Sequence, residues 1–255
     1  MCDSCGCVSS TGHSHASPTV APAVAAERVE VLVGMLRDND QRAAHNRQHF
    51  DEAGILVVNL MSSPGSGKTR LLEATIRALR GRLSVAVIEG DLATENDARR
   101  IRATGAPAVQ ITTGNACHLD AAMVHGALHS LDLGGIDVLF IENVGNLVCP
   151  AAFDLGQHRN VVLLSVTEGD DKPEKYPVMF RAADLMVVTK VDLMDAVGDF
   201  DLASAERHLQ NLANAAPVLK LSARSTEGMV AWIDWLTVEA ASHRGHARQQ
   251  IAAHG

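Results

Sequence analysis

Short apolar runs alternate along this chain with longer stretches in which apolar residues recur every three or four positions. The runs predict strands at 55–61, 84–89, 107–111, 136–142, 161–166, 185–190 and 217–221. The helical spacing predicts helices at 68–80, 94–104, 116–130, 201–214 and 228–241. Strand and helix in alternation predict an α/β fold with a mostly parallel sheet and helices on both faces. Upstream, Val24–Phe50 is amphipathic, with Val29, Leu32, Val33 and Leu36 on one side. Residues 1–23 hold three cysteines, then Ser, Thr, Gly and His, then Pro18 and Pro22, and read as a disordered tail. Three segments are therefore expected: a flexible Cys/His tail at 1–23, a main domain with its N-terminal helix at 24–241, and a polar, frayed tail at 242–255.

The first predicted strand leads into Ser62-Ser-Pro-Gly-Ser-Gly-Lys-Thr69, and a predicted helix follows. Strand, glycine-rich turn and helix opening with Gly-Lys-Thr is the setting of a phosphate-binding loop, so the fold expected is a P-loop NTPase. Gly65 and Gly67 let the backbone curl so that successive N–H groups, Ser66 included, face one phosphate. Lys68 adds a mobile positive charge, Thr69 offers a hydroxyl to Mg²⁺, and the helix N-terminus favours anions. Ser62 stands where the usual pattern has its first glycine.

Composition narrows the partners. Aromatic residues make up 3% and the net charge is −8 without a basic stripe, which argues against nucleic acid. No apolar run is long enough for a membrane span. The chain opens Met-Cys-Asp-Ser-Cys, unlike a signal peptide, so a cytoplasmic setting with reduced thiols is expected.

The strand Ile136–Ile141 ends in Glu142-Asn-Val-Gly145. A carboxylate there can hold the Mg²⁺ shell, and Gly145 can give its N–H to a γ-phosphate and move when that phosphate leaves. Asp91 either orients the attacking water, joins the Mg²⁺ shell, or caps the following helix. Thr189-Lys-Val-Asp192 points to guanine: Asp192 can accept from N1–H and the 2-amino group, a pair that adenine lacks. Lys190 would lay its stem over the base, and Thr189 stands where the common guanine motif has Asn. Ser222-Ala223 matches the loop whose backbone reads guanine O6.

The five cysteines fall into two groups. Cys2, Cys5 and Cys7 can bring three sulfurs to one ion, Ni²⁺ in a planar N/S set or Zn²⁺ in a tetrahedral one. His13 and His15 follow closely. Cys117 and His118 are expected to open a helix, and Cys149 lies just downstream of Gly145. Together these three make a half-filled site that two copies could complete across a dimer.

The phosphate loop, the Glu89-Gly-Asp91 turn, Cys117-His118, Glu142-Asn-Val-Gly-Asn-Leu-Val-Cys149 and Thr167-Glu-Gly-Asp-Asp-Lys-Pro-Glu-Lys-Tyr-Pro177 resemble the hydrogenase nickel-incorporation GTPases of the HypB family, over about residues 25–241. The resemblance implies a slow GTPase that converts GTP to GDP and delivers nickel for [NiFe]-hydrogenase maturation. It implies a GTP-dependent homodimer, a tight nickel site at Cys2, Cys5 and Cys7, and a second nickel or zinc site at Cys117, His118 and Cys149. It places Asp91, Glu142 and Gly145 beside the γ-phosphate and Mg²⁺. The implied partners are a zinc- and nickel-binding accessory protein and, directly or through it, the hydrogenase large subunit. The related urease-type nickel GTPase, a metal-binding protein with a nucleotide switch but little turnover, and an ATP-dependent partitioning or kinase-like protein are the competing readings.

Overall fold

The computed structural model describes the backbone of residues 22–92 and 94–254, with side chains over 33–92 and 94–247. The expectations for Cys2, Cys5, Cys7, His13 and His15 fall outside the described residues. The chain divides into two units, Met1–Leu36 and Arg37–Gly255. Helix α1 (Pro22–Ala53) spans that boundary, and its part from Arg37 onward belongs to the larger unit.

The larger unit is built on β1 (Leu56–Ser62), α2 (Lys68–Leu79), β2 (Val85–Asp91), α3 (Asn96–Arg102), β3 (Ala108–Thr112), α4 (Ala121–Leu128), β4 (Val138–Glu142) and β5 (Arg159–Ser165). It continues through α5 (Lys172–Lys175), α6 (Pro177–Arg181), β6 (Leu185–Thr189), α7 (Met194–Val197), α8 (Leu202–Asn211), β7 (Val218–Leu221) and α9 (Met229–His254). The strands form one sheet in the order β3-β2-β4-β1-β5-β6-β7. Every pairing is parallel.

Both faces of the sheet are covered, which is why its strands read as continuous apolar runs. Leu56, Val58 and Leu60 of β1 pack with Leu71, Leu72 and Leu79 of α2 and Trp232, Ile233 and Leu236 of α9. The indole Nε1–H of Trp232 donates to Thr75 Oγ1 at 2.7 Å, so the buried ring leaves no orphan donor. On the other face Ile55 and Val57 pack with Phe50 of α1 and Val124 and Ala127 of α4. Met61, Val162 and Leu164 meet Phe180 of α6 and Leu209 of α8 in a third cluster.

Three local differences from the expected elements have physical causes. Helix α4 starts at Ala121 rather than 116, because the Asp120 carboxylate accepts from Met123 N and caps the first turn. Cys117 and His118 therefore lie in the preceding loop and do not open the helix. Helix α9 runs to His254 through the stretch expected to be frayed. Tertiary contacts hold that extension: Arg244 Nη1 donates to Asp137 Oδ1 at 2.6 Å, and Ala247 is buried. Helices α5, α6 and α7 span only about a turn each, too short for an apolar period to be visible.

His158 fastens this end of α9 to the sheet. Its Nδ1 accepts from Val57 N at 2.9 Å, its Nε2 faces Asp51 Oδ1 at 3.1 Å, and its ring lies 4.1 Å from that of His243. Burial, then the neighbouring His243, pushes its pKa down from 6.5 to about 4, against the pull of Asp51. The unfolded chain thus takes up a proton that the folded chain refuses. The contribution of neutral His158 is fully present above pH 6.5 and is lost as pH falls through about 4. In His158→Asn, where an amide oxygen can still accept from Val57, urea unfolding should lose about 1–3 kcal/mol less stability over that range than the parent. Parallel pH profiles for the two proteins would contradict this role.

Candidate nucleotide and metal site

The chain crosses from β1 to β2 toward one edge of the sheet and from β4 to β5 toward the other. The carboxyl ends of β1 and β4 therefore flank a topological switch point, where ligands of open α/β sheets bind. The loop from Ser62 to Thr69 fills this position. Gly65 and Gly67 have φ of +76° and +101°, left-handed values that a side chain would strain. Ser62 serves as the loop's internal post: its Oγ accepts from Ser66 Oγ at 2.5 Å and from Lys68 Nζ at 2.9 Å. Thr69 Oγ1 donates to Glu142 Oε1 at 2.9 Å.

A cavity of about 380 Å³ opens over this loop, lined by Gly65, Gly67, Lys68, Thr69, Asp91, Glu142 and Gly145, and also by Glu89. Glu89 was not among the site residues read from the sequence. It lies opposite Glu142 in the β2–β4 register, and both carboxyls are buried. Burial pushes both above the ordinary carboxylate range; the Glu142 charge raises Glu89 further, while the Lys68 ammonium pulls Glu142 back. Burial also lowers the Lys68 ammonium, against the attraction of Glu142. Glu89 Oε1 and Glu142 Oε2 have no hydrogen-bond partner. Two orphaned carboxylate oxygens beside a threonine hydroxyl form a donor set suited to a hard dication. Asp91 spends part of its carboxylate locally, accepting from Leu92 N at 2.7 Å and Thr94 Oγ1 at 2.6 Å.

A second cavity of about 230 Å³ adjoins the first across Gly67 and Arg70. Leu71, Leu193 and Leu221 supply apolar wall, and Ser66, Lys190, Asp192, Ser222 and Ala223 are among the other residues that line it. Lys190 sits at φ +60° with its Nζ donating to Gly65 O at 2.7 Å. Thr189 Oγ1 donates to Ser66 O at 2.8 Å, so this residue, which stands in place of Asn, ties β6 to the phosphate loop. Ser222 Oγ accepts from the amides of Arg224 and Ser225 and shapes the loop after β7.

Cys117, His118 and Cys149 converge beside the first cavity. Their ligand atoms all lie within 4.8 Å of one another, and the two sulfurs are 2.9 Å apart. His118 stacks on Phe153 with ring centres 3.9 Å apart. Its burial holds the imidazole below its usual pKa, while the Cys117 thiol beside Cys149 raises the latter's. Two thiols and an imidazole suit a borderline transition metal and leave its coordination open for a further ligand.

The segment between Glu142 and Cys149 borders both sites. Gly145 lies so close to the phosphate loop that a Cβ would stand 2.8 Å from Pro64 Cα. The Asn146 amide donates to Ser62 O at 2.8 Å, and its side chain donates to Cys117 O at 3.4 Å. Asn143 Oδ1 accepts from Leu119 N at 3.2 Å and from Val144 N at 3.0 Å. Asn143 and Asn146, like Glu89, are not evident as site residues from the sequence, although both stand within the Glu142–Cys149 run.

Fold, loop and paired cavities define a P-loop nucleotide-binding protein of the GTPase type. Residues 56–220 match the family described as "CobW/HypB/UreG, nucleotide-binding domain". The chain is 52% identical over 246 residues to hydrogenase maturation factor HypB of Rhizobium leguminosarum bv. viciae, covering 94% of this chain and 81% of that one. The Escherichia coli K12 relative of the same name is 49% identical over 229 residues, covering 89% and 78%. The crystal structure of HypB from Helicobacter pylori in complex with nickel superposes with a TM-score of 0.78 at 41% identity, covering 81% of this chain and 97% of that one. The Archaeoglobus fulgidus HypB structure gives 0.75 at 40%, covering 80% and 100%. The chain belongs to the CobW/HypB/UreG family and, within it, to the HypB hydrogenase maturation factors.

Gly145→Ala should cost about 1–3 kcal/mol in urea unfolding, because the added methyl has to displace Pro64 or the loop. Unchanged stability would mean that the loop is not seated on the phosphate-binding turn.

Proposed function

We propose that this chain is a GTP-hydrolysing nickel metallochaperone that delivers nickel for [NiFe]-hydrogenase maturation. The observation that carries the reading is the Glu142–Cys149 segment, which lines the phosphate cavity at one end and supplies a thiol to the Cys/His cluster at the other. Nickel is the cargo, and GTP is the substrate that times its transfer. The H. pylori relative, crystallised with nickel, supports that choice of metal.

In the first cavity the loop amides and Lys68 hold the β- and γ-phosphates. The orphaned carboxylate oxygen of Glu142 and the hydroxyl of Thr69 fit Mg²⁺, which when bound neutralises charge developing on the phosphates. Asp91 orients the attacking water or completes the metal's outer shell. Attack on the γ-phosphorus breaks its bond to the β-bridging oxygen and yields GDP and phosphate. In the second cavity Lys190 covers the base with its stem, Asp192 accepts from guanine N1–H and N2, and the Ser222-Ala223 backbone meets O6.

Gly145 follows the γ-phosphate, and its release moves Cys149, changing the metal affinity of Cys117, His118 and Cys149 toward nickel or zinc. A GTP-bound homodimer would bring a second set of these ligands to the open coordination positions. Cys2, Cys5 and Cys7 form the tighter nickel site. The remaining partners are the zinc- and nickel-binding accessory protein and the hydrogenase large subunit, met in the cytoplasm.

GTP turnover with ATP as competitor tests this reading. Lys68→Ala should lower turnover by about 10²–10³-fold, the scale of removing one donor from a preorganised site. Asp192→Ala should weaken GTP binding by about tenfold or more while leaving ATP binding unchanged. Equal competition by ATP in the parent would overturn the choice of GTP. Turnover indifferent to Lys68 would leave a metal-binding protein whose nucleotide pocket does not hydrolyse.

A further inference from the structure

Arg70 follows the Gly67-Lys-Thr69 end of the phosphate loop and is the third residue of α2. The first turn of this helix carries Lys68 and Arg70 and no acid, and its cap, Gly67, offers no side-chain hydrogen bond. Cations oppose the helix dipole at this end, whereas an anion is favoured there. Helix stability alone thus disfavours an arginine at position 70. A neighbouring ion-pair network also leaves it out. The buried Glu73, one turn on, binds Arg100 of α3 through both oxygens: Nε donates to Oε1 at 3.2 Å and Nη2 to Oε2 at 3.0 Å. Arg100 Nη1 donates to Asp97 Oδ1 at 2.8 Å. Arg70 Nη1 stands 4.0 Å from Glu73 Oε2, beyond hydrogen-bond range. Its side chain is 57% exposed, and no acceptor among the described residues holds its guanidinium.

Position gives this cation a use. Gly67 and Arg70 are the residues that line both the 380 Å³ and the 230 Å³ cavity, and of the two only Arg70 carries a side chain. Long side chains on a helix lean back toward its N-terminus, which carries the guanidinium toward the loop end of α2. A nucleotide with its base in the second cavity and its β- and γ-phosphates in the first crosses this junction with its ribose and α-phosphate. Of these two groups only the α-phosphate is charged, and the fork of a guanidinium matches phosphate oxygens.

We propose that Arg70 binds the α-phosphate of the guanine nucleotide at the junction of the phosphate and base cavities. The assignment rests on the GTP reading of those cavities. The bond that breaks in hydrolysis lies at the γ-phosphorus, two phosphates away. Arg70 therefore supplies binding shared by substrate and product, and not stabilisation of the transferring group.

The test is the affinity of the full chain for GMP, GDP and a non-hydrolysable GTP analogue, with GTP turnover measured in parallel, in the parent, Arg70→Gln and Arg70→Lys. Arg70→Gln should weaken all three ligands by the same factor, about tenfold, the scale of a hydrogen bond to a charged group. It should raise KM by that factor and leave kcat unchanged, the signature of uniform binding. Arg70→Lys, which keeps the charge and loses the fork, should recover part of the loss. Urea unfolding of nucleotide-free Arg70→Gln should show no loss of stability, since a cation has left the first turn of α2. Equal affinities in the parent and Arg70→Gln would overturn the assignment alone. So would a weakening that spares GMP, which would move the contact to the β- or γ-phosphate, or a fall in kcat at constant KM. A parent that bound none of the three would overturn the GTP reading and the assignment with it.

Discussion

Pro64 occupies the space that a side chain at position 145 would need. That single contact seats the chain leaving β4 against the phosphate-binding turn, and the rest of the site is organised around it. The next residue, Asn146, holds both neighbours at once, with its amide on Ser62 O and its side chain on Cys117 O. A parallel anchor runs from β2: a Cβ on Gly90, between Glu89 and Asp91, would lie 2.8 Å from Leu119. Leu119 in turn donates to Asn143. The loop bearing Cys117 and His118 is therefore held to the nucleotide cavity through two strands, by packing and hydrogen bonds that leave little room for independent movement. Such contiguous contacts are the physical means by which a change at one site alters another.

Electrostatics give the site its appetite for charge. Glu89 and Glu142 meet across the ladder out of water, with Lys68 close enough to offset only part of their cost. Burial disfavours charge on both carboxyls, and their mutual repulsion makes it harder still for both to ionise at once. The two orphaned oxygens are the donors that a hard dication would satisfy. The same chemistry does not extend to the thiol and imidazole cluster, whose softer ligands select a different metal. The two donor sets therefore differ in the kind of ion they suit.

Much of this was legible in the sequence because it is local. The seven strands show as apolar runs, and the phosphate loop is a short motif whose glycines and lysine must be close in sequence to cradle one phosphate. Lys190, Asp192, Ser222 and Ala223 were visible as strand-end residues and do line one cavity. Glu89, Asn143 and Asn146 were not visible as site residues, since their roles depend on β2 lying beside β4 and on the path of the Cys117 loop. The start of α4 was misread because apolar periodicity continues past the capping Asp120. The end of α9 was misread because its polar composition hides the contacts of Arg244 and Ala247.

The coupling of the two sites is tested most directly by nickel affinity at the Cys117/His118/Cys149 cluster. It would be measured with GDP and with a non-hydrolysable GTP analogue, in a full chain carrying Cys2→Ala, Cys5→Ala and Cys7→Ala. The account predicts affinities that differ between the two nucleotides by about tenfold, the scale of a typical coupling free energy. It also predicts that this ratio collapses toward one in Asn146→Ala while nucleotide still binds. Equal nickel affinity with either nucleotide would contradict it.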